Sequence, residues 1–195
     1  MSDNILLISS TMIKERSAIH GNLDDKLIFP DIKAAQDMYI MPILGTALFN
    51  KLQTLISDGT ITSDAAKINY KNLLDKYIVD ALMYYVLSEL PETISYQFWN
   101  KGVMRKQGQD TELPSMSELI DISNRYKNKA EFYANRLKLY IQANAATKFP
   151  EYLNPGNTQD TVTPEQRAFT TGIYLGDDNN PYCNKGGFNG QPYSE

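Results

Sequence analysis

Cysteine and histidine are nearly absent from this 195-residue sequence, which contains one of each, Cys183 and His20. A single cysteine excludes an internal disulfide framework and is typical of a reducing compartment. A single histidine gives little basis for a histidine-rich zinc site or a Ser-His-Asp triad. The sequence also lacks a G-x-S-x-G elbow, a C-x-x-C pair and a glycine-rich phosphate loop. We therefore predict no enzymatic activity and no cofactor, and we expect His20 to lie in a turn or to cap a helix.

Long hydrophobic runs and basic clusters are missing as well. The longest apolar runs, such as residues 5–8, are far shorter than the roughly 20 residues of a membrane span, and the first four residues lack the basic start of a signal peptide. The sequence therefore predicts no membrane association. It carries 23 acidic and 19 basic residues, a net charge of −4, and no region is basic enough to indicate a nucleic-acid footprint. The acidic run 177–180 lacks calcium-loop spacing, so no metal site is predicted.

Residues 25–58 show helical periodicity. Between residues 25 and 44 the apolar positions recur every three or four residues, which indicates an amphipathic helix. We expect its regular part to begin near Pro30, because proline is tolerated only in the first turn of a helix. Gly45 is expected to end this helix and Thr46 to cap a second one that closes at residues 58–59. The adjacent acids Asp24 and Asp25 are expected at the helix start.

Two further helices are predicted downstream. One extends from Ser63 to residue 90 and is ended by Pro91, after which residues 91–114 are expected to form a long connection. Ser115 and Glu118 form a capping box at the start of the last helix, which ends before residue 150. No period-two alternation is long enough to require a sheet, so the fold class is a mostly α compact helical bundle. Tyrosines spaced along these helices are expected in the core and at interfaces, namely Tyr77, Tyr84, Tyr85, Tyr126, Tyr133 and Tyr140.

Residues 151–195 have a different composition from residues 1–150, so we predict a helical domain followed by a long, largely irregular C-terminal arm. The arm holds six of the eleven glycines, four of the nine prolines and the full net charge of −4. It cannot bury enough apolar area alone to offset an entropy cost of roughly 1–2 kcal/mol per ordered residue. We therefore expect partners to hold the arm, and truncation after residue 150 to leave the body folded. Its aromatic residues are candidate interface residues: Tyr152, Phe169, Tyr174, Tyr182, Phe188 and Tyr193.

One segment resembles a known family. Residues 21–52, GNLDDKLIFPDIKAAQDMYIMPILGTALFNKL, are similar to the N-terminal helical signature of head–tail connector (adaptor) proteins of tailed bacteriophages. The versions in crAss-like and other Bacteroidetes-infecting phages are the most similar. The matching pattern is the Asp-Asp entry, the Ala-Ala-Gln run at residues 34–36, and the Ile-Leu-Gly run at residues 43–45 that leads into Leu48. The resemblance covers about 30 residues, and the remainder of the chain fits it only as a helical body with an extended arm.

The resemblance implies a structural virion protein at the junction of capsid and tail. Such connectors form a homo-oligomeric ring, commonly of twelve copies, below the portal protein. They extend the DNA channel without sequence-specific binding and dock the next tail component. A closed ring requires a head-to-tail contact between copies. Two other classes stay open: a helical protein-interaction module of a cellular complex with a partner-binding tail, and an enzyme built on carboxylates and tyrosines. The enzyme alternative predicts a deep pocket with a perturbed carboxylate pair.

Overall fold

A computed structural model describes residues 5–100, 102–105, 114–156 and 160–164, and it confirms a mostly helical, compact body. The first helices are α1 (Ser10–Arg16), α2 (Asp25–Ala35), α3 (Met41–Leu44), α4 (Thr46–Ser57), α5 (Thr60–Ser63) and α6 (Ile68–Leu73). They are followed by α7 (Val79–Ser95), strands β1 (Tyr96–Trp99) and β2 (Gly102–Arg105), and helices α8 (Met116–Lys148) and α9 (Pro150–Leu153). Two π-helical turns, Gln36–Ile40 and Leu74–Ile78, and a 3₁₀ turn, Ala65–Lys67, join some of these helices.

Helix α7 is the centre of the body. It packs along α8 on one side and against α2 on another. Its residues 81–83 and 85–88 are buried around the whole helix circumference, as expected for a helix enclosed by neighbours. The other helices contribute one apolar stripe each, for example Ile28 and Ile32 from α2 and Leu137 and Ile141 from α8, all fully buried. One continuous core therefore connects the elements.

Both predicted proline boundaries are wrong. Helix α2 begins at Asp25 rather than near Pro30, because the Asp24 carboxylate accepts the Lys26 backbone N–H (3.0 Å) and caps the helix upstream of the proline. Helix α7 continues through Pro91 to Ser95. Its packing against α2 and α8 compensates for the backbone hydrogen bond that proline removes, since tertiary contacts supply most helical stability.

A short β-hairpin replaces part of the long connection that we expected over residues 91–114. Strands β1 and β2 pair antiparallel, with Tyr96 opposite Arg105 and Trp99 opposite Gly102. Each strand has four residues, too few for an alternating pattern to be recognised in the sequence.

Three of the predicted turn and cap residues, Ser115, Glu118 and His20, take the expected positions, and Ser63 does not. Ser115 and Glu118 form the predicted capping box, and His20 lies in a turn in which its Nδ1 accepts the Asn22 N–H (3.2 Å). Ser63 is instead the last residue of α5, and the adjacent Asp64 caps the following 3₁₀ turn by accepting the Ala66 N–H. Asp64 provides a carboxylate at the position where the backbone becomes extended, which is the preferred geometry of an N-cap.

The Gln36 side chain binds the N-terminal residues Ile5 and Leu7 to the body through hydrogen bonds. It is fully buried and accepts the Leu7 N–H at 3.1 Å, while its own amide donates to the Ile5 carbonyl at 3.1 Å. Gln53 also donates to the Ile5 carbonyl, at 3.2 Å. These hydrogen bonds satisfy backbone groups that no secondary structure pairs.

Residues 150–156 and 160–164 belong to the compact unit Met1–Glu165, whereas the composition predicts a domain boundary after residue 150. Helix α9 packs on α8 and α4. The Val162 N–H donates to the Thr46 hydroxyl at 2.7 Å, and the Thr46 N–H donates to the Val162 carbonyl at 3.1 Å. Thr46 therefore binds this segment instead of capping α4, whose N-cap is Gly45.

Candidate interaction surface

A ladder of tyrosines fills the seam between α7 and α8. Tyr77 stacks on Tyr140 with ring centroids 4.0 Å apart, and Tyr84 stacks on Tyr133 at 5.3 Å and on Tyr126 at 6.4 Å. A seven-residue spacing on both helices places these rings on one side of each helix. The prediction of a core position is confirmed for Tyr85, which is buried in the core, while the other five side chains are half-buried and pack against it.

The side of α8 that faces away from the core carries large apolar and cationic side chains. We call Arg125, Lys129, Phe132, Arg136 and Leu139 the outer α8 face. At 3.6 residues per turn they fall within an arc of about 80°. Phe132 is 66% exposed and Leu139 is 50% exposed. Such side chains on a helix that already buries its opposite face make this face a candidate contact surface.

The three cations of the outer α8 face have no carboxylate partner among the described residues, where the ion pairs are Lys14–Asp25 and Lys33–Asp37. Two of them rest on tyrosine rings instead. Lys129 lies 5.3 Å from the centroid of the Tyr126 ring, and Arg136 lies 4.9 Å from that of Tyr77. These contacts hold the charged groups near the helix while leaving their charge uncompensated.

Two separate cavities, one of about 300 Å³ and one of about 110 Å³, are lined by residues of α7 and α8. Their α7 residues Tyr85, Ser88, Glu89 and Glu92 share one face of that helix. We call their combined lining the acidic groove. The larger cavity is lined by Pro42, Ile43, Tyr85, Glu131, Ala134, Asn135 and Lys138. The smaller is lined by Ser88, Glu89, Pro91, Glu92, Tyr96, Met116, Leu119, Ile120 and Ser123.

Helix α2 and the π turn after it add an acidic and an aromatic group near Glu89, Asp31 and Tyr39. Tyr39 stacks on Tyr85 at 4.1 Å and donates its hydroxyl to Glu89 at 2.8 Å. Burial, together with this hydrogen bond, raises the pKa of Tyr39 to about 12. Asp31 accepts the Thr93 hydroxyl at 3.2 Å, and burial and the nearby Glu89 charge raise its pKa despite that hydrogen bond.

Asp31 is a carboxylate whose pKa is raised by burial and by the nearby Glu89 charge, which is one element of the site that the enzyme alternative predicts. The neighbouring hydroxyls of Tyr39 and Thr93 already donate to these carboxylates. The adjacent cavity of about 110 Å³ has room for only a few water molecules at roughly 30 Å³ each. Within the described part of the chain, no group of three or more His, Cys, Asp or Glu residues is arranged to hold a metal ion.

Of the six predicted interface aromatics, the described part of the chain contains Tyr152. Tyr152 is on α9 and is only 2% exposed, because α9 packs against α8 and α4 and turns this side chain into the core. The other five candidates lie outside the described residues: Phe169, Tyr174, Tyr182, Phe188 and Tyr193. The outer α8 face was missed because its apolar residues are separated by seven positions within a polar stripe. Phe132 and Leu139 at this spacing were the available signal.

None of the described helices combines the length and the low charge required to cross a lipid bilayer. The comparisons with curated proteins and with solved structures found no match. One family model matches residues 40–162, from the end of the first π turn to the segment bound by Thr46. Because this match covers more than half of the sequence, the chain belongs to DUF6712, a family of unknown function.

Proposed function

We propose that this chain is a structural virion protein, a head–tail connector that forms an oligomeric ring below the portal and docks the next tail component. The outer α8 face carries the proposal. It presents two large apolar side chains, Phe132 and Leu139, on a body that already encloses its own core. Exposed apolar groups arranged in this way are typical of a surface that a protein partner covers.

The segment that resembles connector proteins supports the same proposal, since it forms a structural unit of the body. Its Asp-Asp entry contributes the N-cap of α2, Asp24. Its Ala-Ala-Gln run ends in Gln36, which binds the N-terminal residues. Its Gly45 separates α3 from α4 next to the C-terminal segment 162–164. The segment that resembles connector proteins therefore contains the residues that contact both the N-terminal residues and the C-terminal segment 162–164 of the body.

The charge of the chain fits a channel through which DNA passes. The sequence has a net charge of −4, and an acidic surface does not retain the DNA phosphates by electrostatic attraction. The portal, neighbouring copies and the next tail protein are then the partners, and the capsid–tail junction is the location.

Oligomeric state tests this proposal against the interaction-module alternative. We expect the purified chain, alone or mixed with a portal protein, to form a closed ring of about twelve copies. Native mass spectrometry would then give one integral multiple of the chain mass, and electron microscopy would show rings. A chain that stays monomeric under both conditions contradicts the connector proposal and favours the interaction module.

A further inference from the structure

We propose that the outer α8 face of one copy docks into the acidic groove of a second copy. This inference rests on the proposed function, because a ring needs two different surfaces on each chain that fit each other head to tail. Both surfaces belong to the described body, so one copy can use its outer α8 face while its groove receives the next copy.

Charge complementarity supports this pairing. The outer face presents Arg125, Lys129 and Arg136, and none of them pairs with a carboxylate of the described residues. The two cavities of the groove are lined by three carboxylates and one ammonium group, those of Glu89, Glu92, Glu131 and Lys138. Opposite charges across an interface orient the partners and exclude wrong pairings.

Shape supports the pairing as well. Phe132 and Leu139 are seven residues apart, about 10 Å along the helix axis. The larger cavity of about 300 Å³ can receive an aromatic side chain such as Phe132, and its apolar wall includes Pro42, Ile43 and Ala134. The outer α8 face extends from Arg125 to Leu139, about 21 Å along a helix about 10 Å wide, so it covers about 200 Å². That is about a quarter of the roughly 800 Å² that each partner contributes to a standard interface, so the contact must also include surface that flanks this face.

Nucleic acid fits the outer α8 face less well than protein does. The tyrosine rings beside it are stacked on one another, and Tyr77, Tyr84 and Tyr126 are also covered by Arg136 or Lys129. They therefore offer no open stack of aromatic platforms to successive bases. Three cations are also few for a phosphate-binding surface.

Cysteine cross-linking tests the contact directly. In a Cys183→Ser background, Phe132→Cys and Pro42→Cys chains are prepared separately, then mixed and oxidised. We expect a disulfide dimer in the mixture and none in either variant alone. The control mixes Phe132→Cys with Ile68→Cys in place of Pro42→Cys, and no disulfide dimer is expected. Ile68 is exposed to solvent, as Pro42 is, but it lies outside both cavities. A Phe132→Cys chain that cross-links to itself overturns the inference, because the contact is then symmetric.

Charge reversal provides an independent test. Arg136→Glu should weaken association about tenfold or more, because a carboxylate would then face the acidic groove. Adding Glu92→Arg to the same chain should restore association to within about threefold. The control is Lys67→Glu, which reverses a charge away from both surfaces. Circular dichroism melting of each variant separates a lost contact from a lost fold. Failure of Glu92→Arg to restore association in a folded chain contradicts the pairing.

The remaining outcomes distinguish the two proposals. If rings form and no Phe132→Cys to Pro42→Cys disulfide appears, this inference fails and the connector proposal stands. If no oligomer forms, both fail. With the native Cys183 retained, a disulfide between residues 132 and 183 would assign the outer α8 face to the acidic arm and overturn the inference. Association abolished by nuclease would assign the face to nucleic acid with the same consequence.

Discussion

Gly45 lies where the end of α3, the start of α4 and the segment 162–164 meet. Its φ of 76° and ψ of 158° belong to a region that is essentially restricted to glycine. A Cβ at this position would lie 2.7 Å from Pro164 Cδ and 3.2 Å from the Val162 carbonyl oxygen. The absence of a side chain therefore allows the C-terminal segment to approach the backbone.

We expect Gly45→Ala to lower the free energy of unfolding by about 2–4 kcal/mol, which combines backbone strain with a collision in a packed site. Urea denaturation measures this change. Gly59→Ala is the control, since Gly59 also has a positive φ but an added Cβ would meet nothing within 4 Å, and it should cost about 1–2 kcal/mol. In a Pro164→Ala background, Gly45→Ala should cost less. An unchanged cost would show that Pro164 is not the cause.

At the scale of elements, the sequence predicts helices well where local chemistry determines them. The capping box of Ser115 and Glu118 is read correctly because both partners are three residues apart. The helix boundaries predicted at Pro30 and Pro91 are wrong because other contacts override the local preference of proline for a helix end. These contacts are the Asp24 cap for α2 and the packing of α7 for Pro91. The π turns cannot be predicted, because their pattern differs from that of an α-helix by a single residue.

The candidate surfaces were only partly predictable for a related reason. The tyrosine ladder follows a seven-residue spacing that is visible in the sequence. The acidic groove, in contrast, combines residues from α3, α7, β1 and α8 that are up to about a hundred positions apart, such as Pro42 and Lys138. Their proximity is a product of packing and leaves no mark in any local pattern.

The capping box also predicts a pH dependence for the stability of α8. The Glu118 carboxylate accepts the Ser115 backbone N–H (2.6 Å) and hydroxyl (2.9 Å), and these hydrogen bonds lower its pKa below the ordinary value. A lowered folded-state pKa stabilises the fold above the ordinary carboxyl pKa, and this contribution is lost as the pH falls through the folded-state value.

We therefore expect the unfolding free energies of the native chain and Glu118→Gln to differ at pH 7 and to converge below about pH 4. Chemical denaturation across this range measures the difference. The difference between the two chains reports on Glu118 alone. The other two carboxylates with shifted pKa values, Asp25 (lowered) and Asp31 (raised), are present in both chains. Asp121→Asn is the matched control, because Asp121 is an exposed carboxylate one turn further along α8. A constant difference between pH 7 and pH 3 would contradict the role of the Glu118 charge.

For the whole molecule, the composition change at residue 150 does not coincide with the end of packing. Phe149 and Tyr152 are almost completely buried, and Glu151 accepts the Tyr70 hydroxyl at 2.9 Å. The segment 160–164 then pairs with Thr46. Composition averaged over 45 residues conceals these contacts, because a few apolar and hydrogen-bonding groups at the start of the arm are enough to attach it.

Two truncations test where the folded body ends. A chain of residues 1–165 should unfold at the same denaturant concentration as the full chain, because all of the packing contacts described above are kept. A chain of residues 1–150 loses the buried Tyr152 side chain and the hydrogen bonds of Glu151 and Val162. We expect it to be less stable by at least about 3 kcal/mol, since burying a large apolar side chain contributes roughly 1.5–3 kcal/mol and each hydrogen bond about 1 kcal/mol.

The same two chains separate folding from assembly. If the arm beyond residue 165 binds the portal or the next tail protein, the 1–165 chain should keep its unfolding transition and lose affinity for that partner, as measured by native mass spectrometry of mixtures. The outer α8 face is intact in this chain, so the contact between copies should persist. Equal stability of the 1–150 and 1–165 chains would place the end of the body at residue 150. The contacts of Tyr152, Glu151 and Val162 would then contribute nothing measurable to the fold.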